Sequence, residues 1–253
     1  MRKKMVVGNW KMNTVSKEAE DLVSKIKESK ISLALTEIVV CPPYLYIPKV
    51  SKILEDTVIK IGAQDVFGEE EGAYTGEISA KQLSEFCDYV ICGHSERRKY
   101  QKETDEEINK KVKAASSQGL NVILAIGEHL DDYRKGNWEI IIHQLINDLK
   151  GLSPGMANKI TIAYEPVWAI GTGEAATPDY VNKIATRIRQ EAGGILGRKN
   201  AEKMRILYGG SVDRNNAASF VEVPEIDGLL VGGASIKPLE FINIIKSVNK
   251  VKT

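Results

Sequence analysis

The sequence predicts an α/β chain folded as a single closed (β/α)8 barrel over residues 1–253. Three observations carry that prediction. Eight short apolar runs recur along the chain. Helical hydrophobic spacing fills the stretches between them. No linker or low-complexity segment divides the chain into two units. Eight units leave about 32 residues each, enough for one strand, one helix and two loops. An open doubly wound sheet, the competing architecture, places a glycine fingerprint after its first strand. Here the first strand runs into Gly8-Asn9-Trp10-Lys11 instead.

The strands are expected at 5–8, 38–41, 59–64, 89–93, 122–127, 160–164, 205–208 and 228–231. Short, continuous apolar runs fit strands buried on both faces, as those of parallel sheets are. Helical spacing is clearest between them. Near the N-terminus, Ala19, Leu22, Val23 and Ile26 share one face. Thr104-Asp105-Glu106-Glu107 is a capping box, after which Ile108, Val112 and Ala115 align and Gly119 closes the helix. Thr177-Pro178-Asp179 supplies a cap, a proline at the first helical position and an acid at the positive end of the dipole. Val181, Ile184, Ala185 and Ile188 follow at helical spacing, and Phe241, Ile244, Ile245 and Val248 repeat it.

Bulk properties narrow the function. Lys plus Arg number 35 and Asp plus Glu 34, a formal net charge of +1. That balance gives no electrostatic case for a nucleic-acid or membrane partner. Cys41, Cys87 and Cys92 are an odd count at no metal spacing, which points to a reducing compartment without a disulfide framework. The basic start Arg2-Lys3-Lys4 leads only into Met5-Val6-Val7, too short for a signal-peptide core. No run approaches a membrane span. A cytoplasmic protein is expected, with no metal site.

In a barrel, reactive groups collect at the carboxyl ends of the strands. The sixth strand ends at Glu165, and Pro166 then stops the ladder. The loop after it keeps Val167, Trp168 and Ile170, so it is expected to cover something: a hinged lid over 166–176 beside a catalytic base. The first strand delivers Asn9 and Lys11, and the fourth His94, Ser95 and Glu96. Gly209-Gly210-Ser211 and Gly232-Gly233 end the last two strands, and such turns expose N–H groups that hold a phosphate. Gly171 in the lid can add one more. A base at Glu165, a donor at His94 and a fixed cation at Lys11 suit removal of a proton next to a carbonyl. Asn9 is a further donor to the oxyanion. If residues after His94 start a helical turn, its dipole keeps that imidazole neutral. Glu96 can orient Lys11. Arg97 and Arg98 are expected in ion pairs at the surface or at a subunit contact. His129 and His143 read as structural. The long aperiodic loop 65–77, with aromatics flanked by glycines, suits docking into a partner.

Five blocks then resemble one family in order. They are Gly8-Asn9-Trp10-Lys11-Met12-Asn13, Gly93-His94-Ser95-Glu96-Arg97-Arg98, the run from Ala163 to Gly173, Tyr208-Gly209-Gly210-Ser211-Val212, and the run from Gly228 to Ser235. The chain resembles triosephosphate isomerases over essentially its whole length. The resemblance implies a TIM barrel that interconverts dihydroxyacetone phosphate and glyceraldehyde 3-phosphate without a cofactor, in glycolysis and gluconeogenesis. It implies Glu165 as base, His94 as electrophile, Lys11 and Asn9 as oxyanion partners, and Glu96 as a further acid. It implies Gly171, Ser211, Gly232 and Gly233 as phosphate binders. It also implies a homodimer in which the 65–77 loop, with Gln64, Thr75 and Glu77, enters the neighbouring subunit near Asn9 and Lys11. Three positions depart from the family pattern: Ala125 where cysteine is common, Asp65 where asparagine is usual, and Glu174 where lysine is common. Other readings of the same residues are a different phosphate-binding barrel enzyme, which would use the glycine turns without Glu165, His94 and Lys11 together, and a secondary surface-binding role.

Overall fold

The computed structural model describes residues 2–29, 31, 35–170 and 175–251. Within them the strands are β1 (Lys4–Asn9), β2 (Thr36–Cys41), β3 (Lys60–Ala63), β4 (Tyr89–Cys92), β5 (Asn121–Ile126), β6 (Ile160–Tyr164), β7 (Arg205–Tyr208) and β8 (Gly228–Val231). Each pairs in parallel with the next, and β8 pairs with β1, so the sheet closes. The closing register sets Val6 against Leu229 and Val7 against Leu230. All eight expected runs are strands. β3 is shorter than the 59–64 expected, because the chain leaves the ladder after Ala63 and turns the Gln64 side chain towards β1. β1 runs one residue further, with Asn9 opposite Cys41.

The runs are apolar throughout because both faces are covered. Met5, Val7, Val39, Cys41, Tyr89, Ile91, Ile123, Ala125, Ala163, Leu207 and Leu230 form one buried cluster. Their alternates, such as Val6, Ile38, Val40, Val90, Leu124 and Ile206, join a second cluster with the helices. Ser16–Glu28 buries Ala19, Leu22, Val23 and Ile26, and Pro238–Lys250 buries Phe241, Ile244, Ile245 and Val248. The Thr104 hydroxyl accepts from Glu107 N–H while Glu107 Oε2 accepts from Thr104 N–H, so the box caps Asp105–Ser117. Gly119 then takes a φ of 84°.

Arg98 corrects one expectation. It is not a surface ion pair: its Nη2 donates to the fully buried Asp148 at 2.5 Å, its Nη1 to Asp105 at 2.5 Å and its Nε to Gly93 O at 2.9 Å. The helix Ser95–Tyr100 turns it back under the end of β4. Burial pushes the Asp148 carboxyl up to about 7, with Arg98 pulling the other way.

Two glycines predict opposite outcomes. A Cβ on Gly228 would lie 1.8 Å from Met5 O across the closing seam. Gly228→Ala should therefore prevent closure and abolish cooperative unfolding. A Cβ on Gly194, inside the helix Pro178–Leu196, would meet nothing within 4 Å. Gly194→Ala should raise unfolding stability by about 0.5–1 kcal/mol in a denaturant titration.

Candidate active site

β1 ends in a turn that places Lys11 at a φ of 54°, a left-handed conformation costly for a side chain with a Cβ. Hydrogen bonds hold it there. Asn9 Oδ1 accepts from Lys11 N–H at 3.0 Å. Gln64 Nε2 donates to Lys11 O and to Cys41 O, both at 2.9 Å. The ammonium then reaches Glu96 Oε1 at 2.6 Å. Because Asn9 Oδ1 is engaged, the Asn9 amide group remains as a donor.

Gly93 follows β4, and His94 caps the helix Ser95–Tyr100. Its Nδ1 accepts from Glu96 N–H at 3.2 Å, so the ring proton is carried by Nε2. Nε2 lies 3.1 Å from Glu165 Oε1. β6 delivers Glu165 to this point. Its carboxylate is 2% exposed, and its other oxygen accepts from Ser95 N–H at 3.0 Å. Gly209, after β7, leaves room for it: a Cβ there would sit 2.9 Å from Glu165 Cγ. A Cβ on Gly232, after β8, would approach Lys11 Cε at 3.3 Å. Gly233 opens the turn Gly233–Ile236.

Asn9, Lys11, His94, Glu96, Glu165, Ser211, Gly232 and Gly233 line one cavity of about 340 Å3. The Ser211 hydroxyl donates to Ala169 O at 2.6 Å, joining the turn after β7 to the loop after β6. Gly171 and Glu174 lie outside the described residues. Thr75 and Glu77 are exposed on the 65–77 loop, whereas Gln64 is half-buried with its amide engaged inside the chain. Asp65 is buried against Lys111 at 2.8 Å and Arg97 at 3.0 Å, and Ala125 packs inside the barrel. Among the described residues, no group of three or more His, Cys, Asp or Glu is placed to hold a metal. Chemically, the cavity joins a proton acceptor, an imidazole N–H, an amide and an ammonium. Such a set can take a proton from carbon and stabilise the oxyanion that results.

Two residues were missed in the sequence. Glu128 follows β5 and Gly127 at a strand end, so the rule that found Glu165 applies to it too. It is fully buried, and its Oε1 accepts from Trp168 Nε1 at 2.8 Å, Tyr164 OH at 3.0 Å and Tyr180 OH at 3.1 Å. Burial pushes its carboxyl up, against the pull of these donors. Tyr208 gave no signal. Its hydroxyl accepts from Ala176 N–H at 3.2 Å, and a Cβ on Gly210 would lie 2.2 Å from that hydroxyl. The 166–176 loop is thus tied down at both of its described ends.

Comparison with known proteins gives a consistent result. The family model described as triosephosphate isomerase matches residues 4–248. A triosephosphate isomerase of Dictyoglomus thermophilum is 47% identical over 249 residues, covering 98% of this chain and 100% of the relative. One of Alkaliphilus oremlandii is 46% identical, covering 97% and 99%. One of Clostridium tetani is 45% identical, covering 97% and 96%.

Glu128 generates a pH prediction. Its folded pKa is raised above 4.5, so the folded state holds the proton more tightly than the unfolded chain does. Stability from this group is therefore full below that value and declines as pH rises towards the raised one. Glu128→Gln, which mimics the protonated acid, should gain stability relative to the native chain as pH rises above 4.5. Paired urea titrations across that range would check it, and a constant difference would refute it.

Proposed function

The chain belongs to the triosephosphate isomerase family and interconverts dihydroxyacetone phosphate and glyceraldehyde 3-phosphate in glycolysis; we propose that it does so through Glu165, His94, Lys11, Asn9 and Glu96. Glu165 removes a proton from the carbon beside the carbonyl. The carbonyl oxygen becomes negative, and His94 Nε2–H, Lys11 and the Asn9 amide stabilise the enediolate. The proton of the adjacent hydroxyl passes to that oxygen by way of His94 Nε2, and Glu165 then returns its own proton to the neighbouring carbon. Glu96 orients the Lys11 ammonium. N–H groups of Gly171, Ser211, Gly232 and Gly233 hold the phosphate, and the 166–176 lid excludes water while the intermediate exists.

The observation that carries this reading is the 3.1 Å contact between His94 Nε2 and Glu165 Oε1, on an imidazole whose Nδ1 already accepts a backbone hydrogen bond. Such an imidazole donates without carrying charge, so it can polarise a carbonyl beside the base. Glu165→Gln keeps the shape and removes the base. It should retain the far-UV spectrum while losing roughly 10²–10⁴-fold in kcat. Near-native turnover would show that Glu165 is not the base.

The chain works as one barrel domain, in the cytoplasm, as a homodimer. No helix among the described residues is long and apolar enough to cross a membrane. Dimerisation is supported by side chains beside the site that water alone does not explain. Met12 is 97% exposed and Leu45 is 83% exposed, and Tyr74 is exposed on the 65–77 loop. In the dimer that loop, with Thr75 and Glu77, docks against the Met12 face of the neighbouring subunit. Gln64 contributes from the base of the loop. Light scattering at micromolar concentration should give twice the chain mass of 28.0 kDa. Met12→Glu should give the monomer, since it sets a charge in a face that must be dry. A monomeric native protein would refute the docking.

A further inference from the structure

Glu128 and the short helix Leu130–Lys135 both follow β5, and together they enclose Trp168. Glu128 holds the indole edge through Nε1. Tyr133 covers the indole face, with ring centroids 4.1 Å apart and planes inclined by 24°. The same Tyr133 ring meets Tyr180 edge-on, with centroids 5.2 Å apart. Trp168 lies three residues past Glu165, at the entry of the 166–176 segment. Tyr180 lies four residues beyond its exit, in the first turn of Pro178–Leu196, and also donates to Glu128. One aromatic ring therefore touches both stems of that segment.

Tyr133 does not line the cavity that holds Glu165 and His94. It sits on a six-residue helix, still partly exposed, and no other part of the mechanism uses it. We propose that Tyr133 is a positioning residue for the lid: by stacking on Trp168 and bracing Tyr180 it fixes both stems, so that these stems need not be ordered when the substrate phosphate arrives. The proposal rests on the lid reading of residues 166–176 given above. Ordering a loose segment on binding lowers affinity and rate together, whereas a pre-set one avoids that cost. The contribution should be on the scale of one aromatic stack, which shifts an equilibrium by about 2- to 12-fold.

The effect should act through the phosphate. A lid that closes on the phosphate cannot help a substrate that lacks one. Tyr133→Ala should lower kcat/KM for glyceraldehyde 3-phosphate by about 3- to 10-fold. The slow isomerisation of phosphate-free glyceraldehyde should change by less than about twofold, because the base and its donors are untouched. Tyr133→Phe keeps the ring and should restore the phosphorylated substrate to native rates. A structural role alone would lower thermal stability without separating the two substrates. Equal losses on both substrates, or no loss on either, would overturn the proposal. Trp168→Leu is the control on the lid itself. If it separates the substrates while Tyr133→Ala does not, the positioning role fails and the lid stands. If neither separates them, the lid reading fails with it.

Discussion

The buried carboxylate of Glu165 is the constraint on which the rest of the structure depends. An isolated ionised carboxylate inside a protein costs several kcal/mol unless donors replace the lost water. Here Ser95 N–H donates to one oxygen at 3.0 Å, and His94 Nε2 lies 3.1 Å from the other. Both come from the end of β4, so Glu165, at the end of β6, is held by a strand two places away around the barrel. Ser95 is the first residue of a helix, and its N–H is one of those a helix leaves unpaired. Room is made by omission as well. A Cβ on Gly127 would lie 1.7 Å from Glu165 O, and one on Gly209 would crowd the side chain. A closed barrel is well suited to this. It fixes the ends of β4, β5, β6 and β7 relative to one another, and four segments must agree within a fraction of an ångström.

Charge around the site is balanced in two separate groups. Lys11 and Glu96 pair at the mouth. Below the base of the 65–77 loop, Lys111 and Arg97 face Asp65 and Glu103. Burial pushes the Asp65 carboxyl up, while Lys111 and Arg97 pull it down. The count is two cations against two carboxylates. With asparagine at 65, the same cluster would carry one uncompensated positive charge. Asp65 thus completes a neutral buried cluster. The cluster also joins three segments: the loop base, the helix that begins beside His94, and the helix Asp105–Ser117. The base of the 65–77 loop and the cavity are thus joined through the helix that begins beside His94, so geometry at one constrains the other.

The barrel was legible because its signal is local. A strand buried on both faces reads as an unbroken apolar run, and parallel closure makes all eight read alike. Glu165, His94 and Lys11 were legible because each follows such a run directly. The supports were not, for physical reasons that differ. The Lys11 backbone conformation has no marker in a residue that usually avoids it. Gln64 stands beside a loop that suggests a partner, yet its amide turns inward to two carbonyls on β1 and β2. Arg98 sits in a charged run that suggests solvent, but one helical turn swings it under β4. Contacts that join distant elements leave no periodicity. Glu128 is different: it stands at a strand end in plain view, and reading every strand end equally would have found it.

The same alternation that builds the core also decides which end of the barrel reacts. At the end where the strands begin, the inward positions carry Glu37, Tyr89 and Arg205. Tyr89 OH donates to Glu37 Oε1 at 2.7 Å and accepts from Arg205 Nη2 at 3.0 Å, while Arg205 also pairs with Glu37. Burial pushes the Tyr89 hydroxyl up to about 12, so it stays a donor in this knot. These three polar groups are turned on one another. At the opposite end the pairing is incomplete by construction. The Asn9 amide, the His94 ring and the Lys11 ammonium border a cavity, and glycines replace the side chains that would fill it. One end of the barrel satisfies itself and seals the core from water. The other leaves donors arranged around a space, which suits that end, and not the sealed one, to a carbonyl with a phosphate tail.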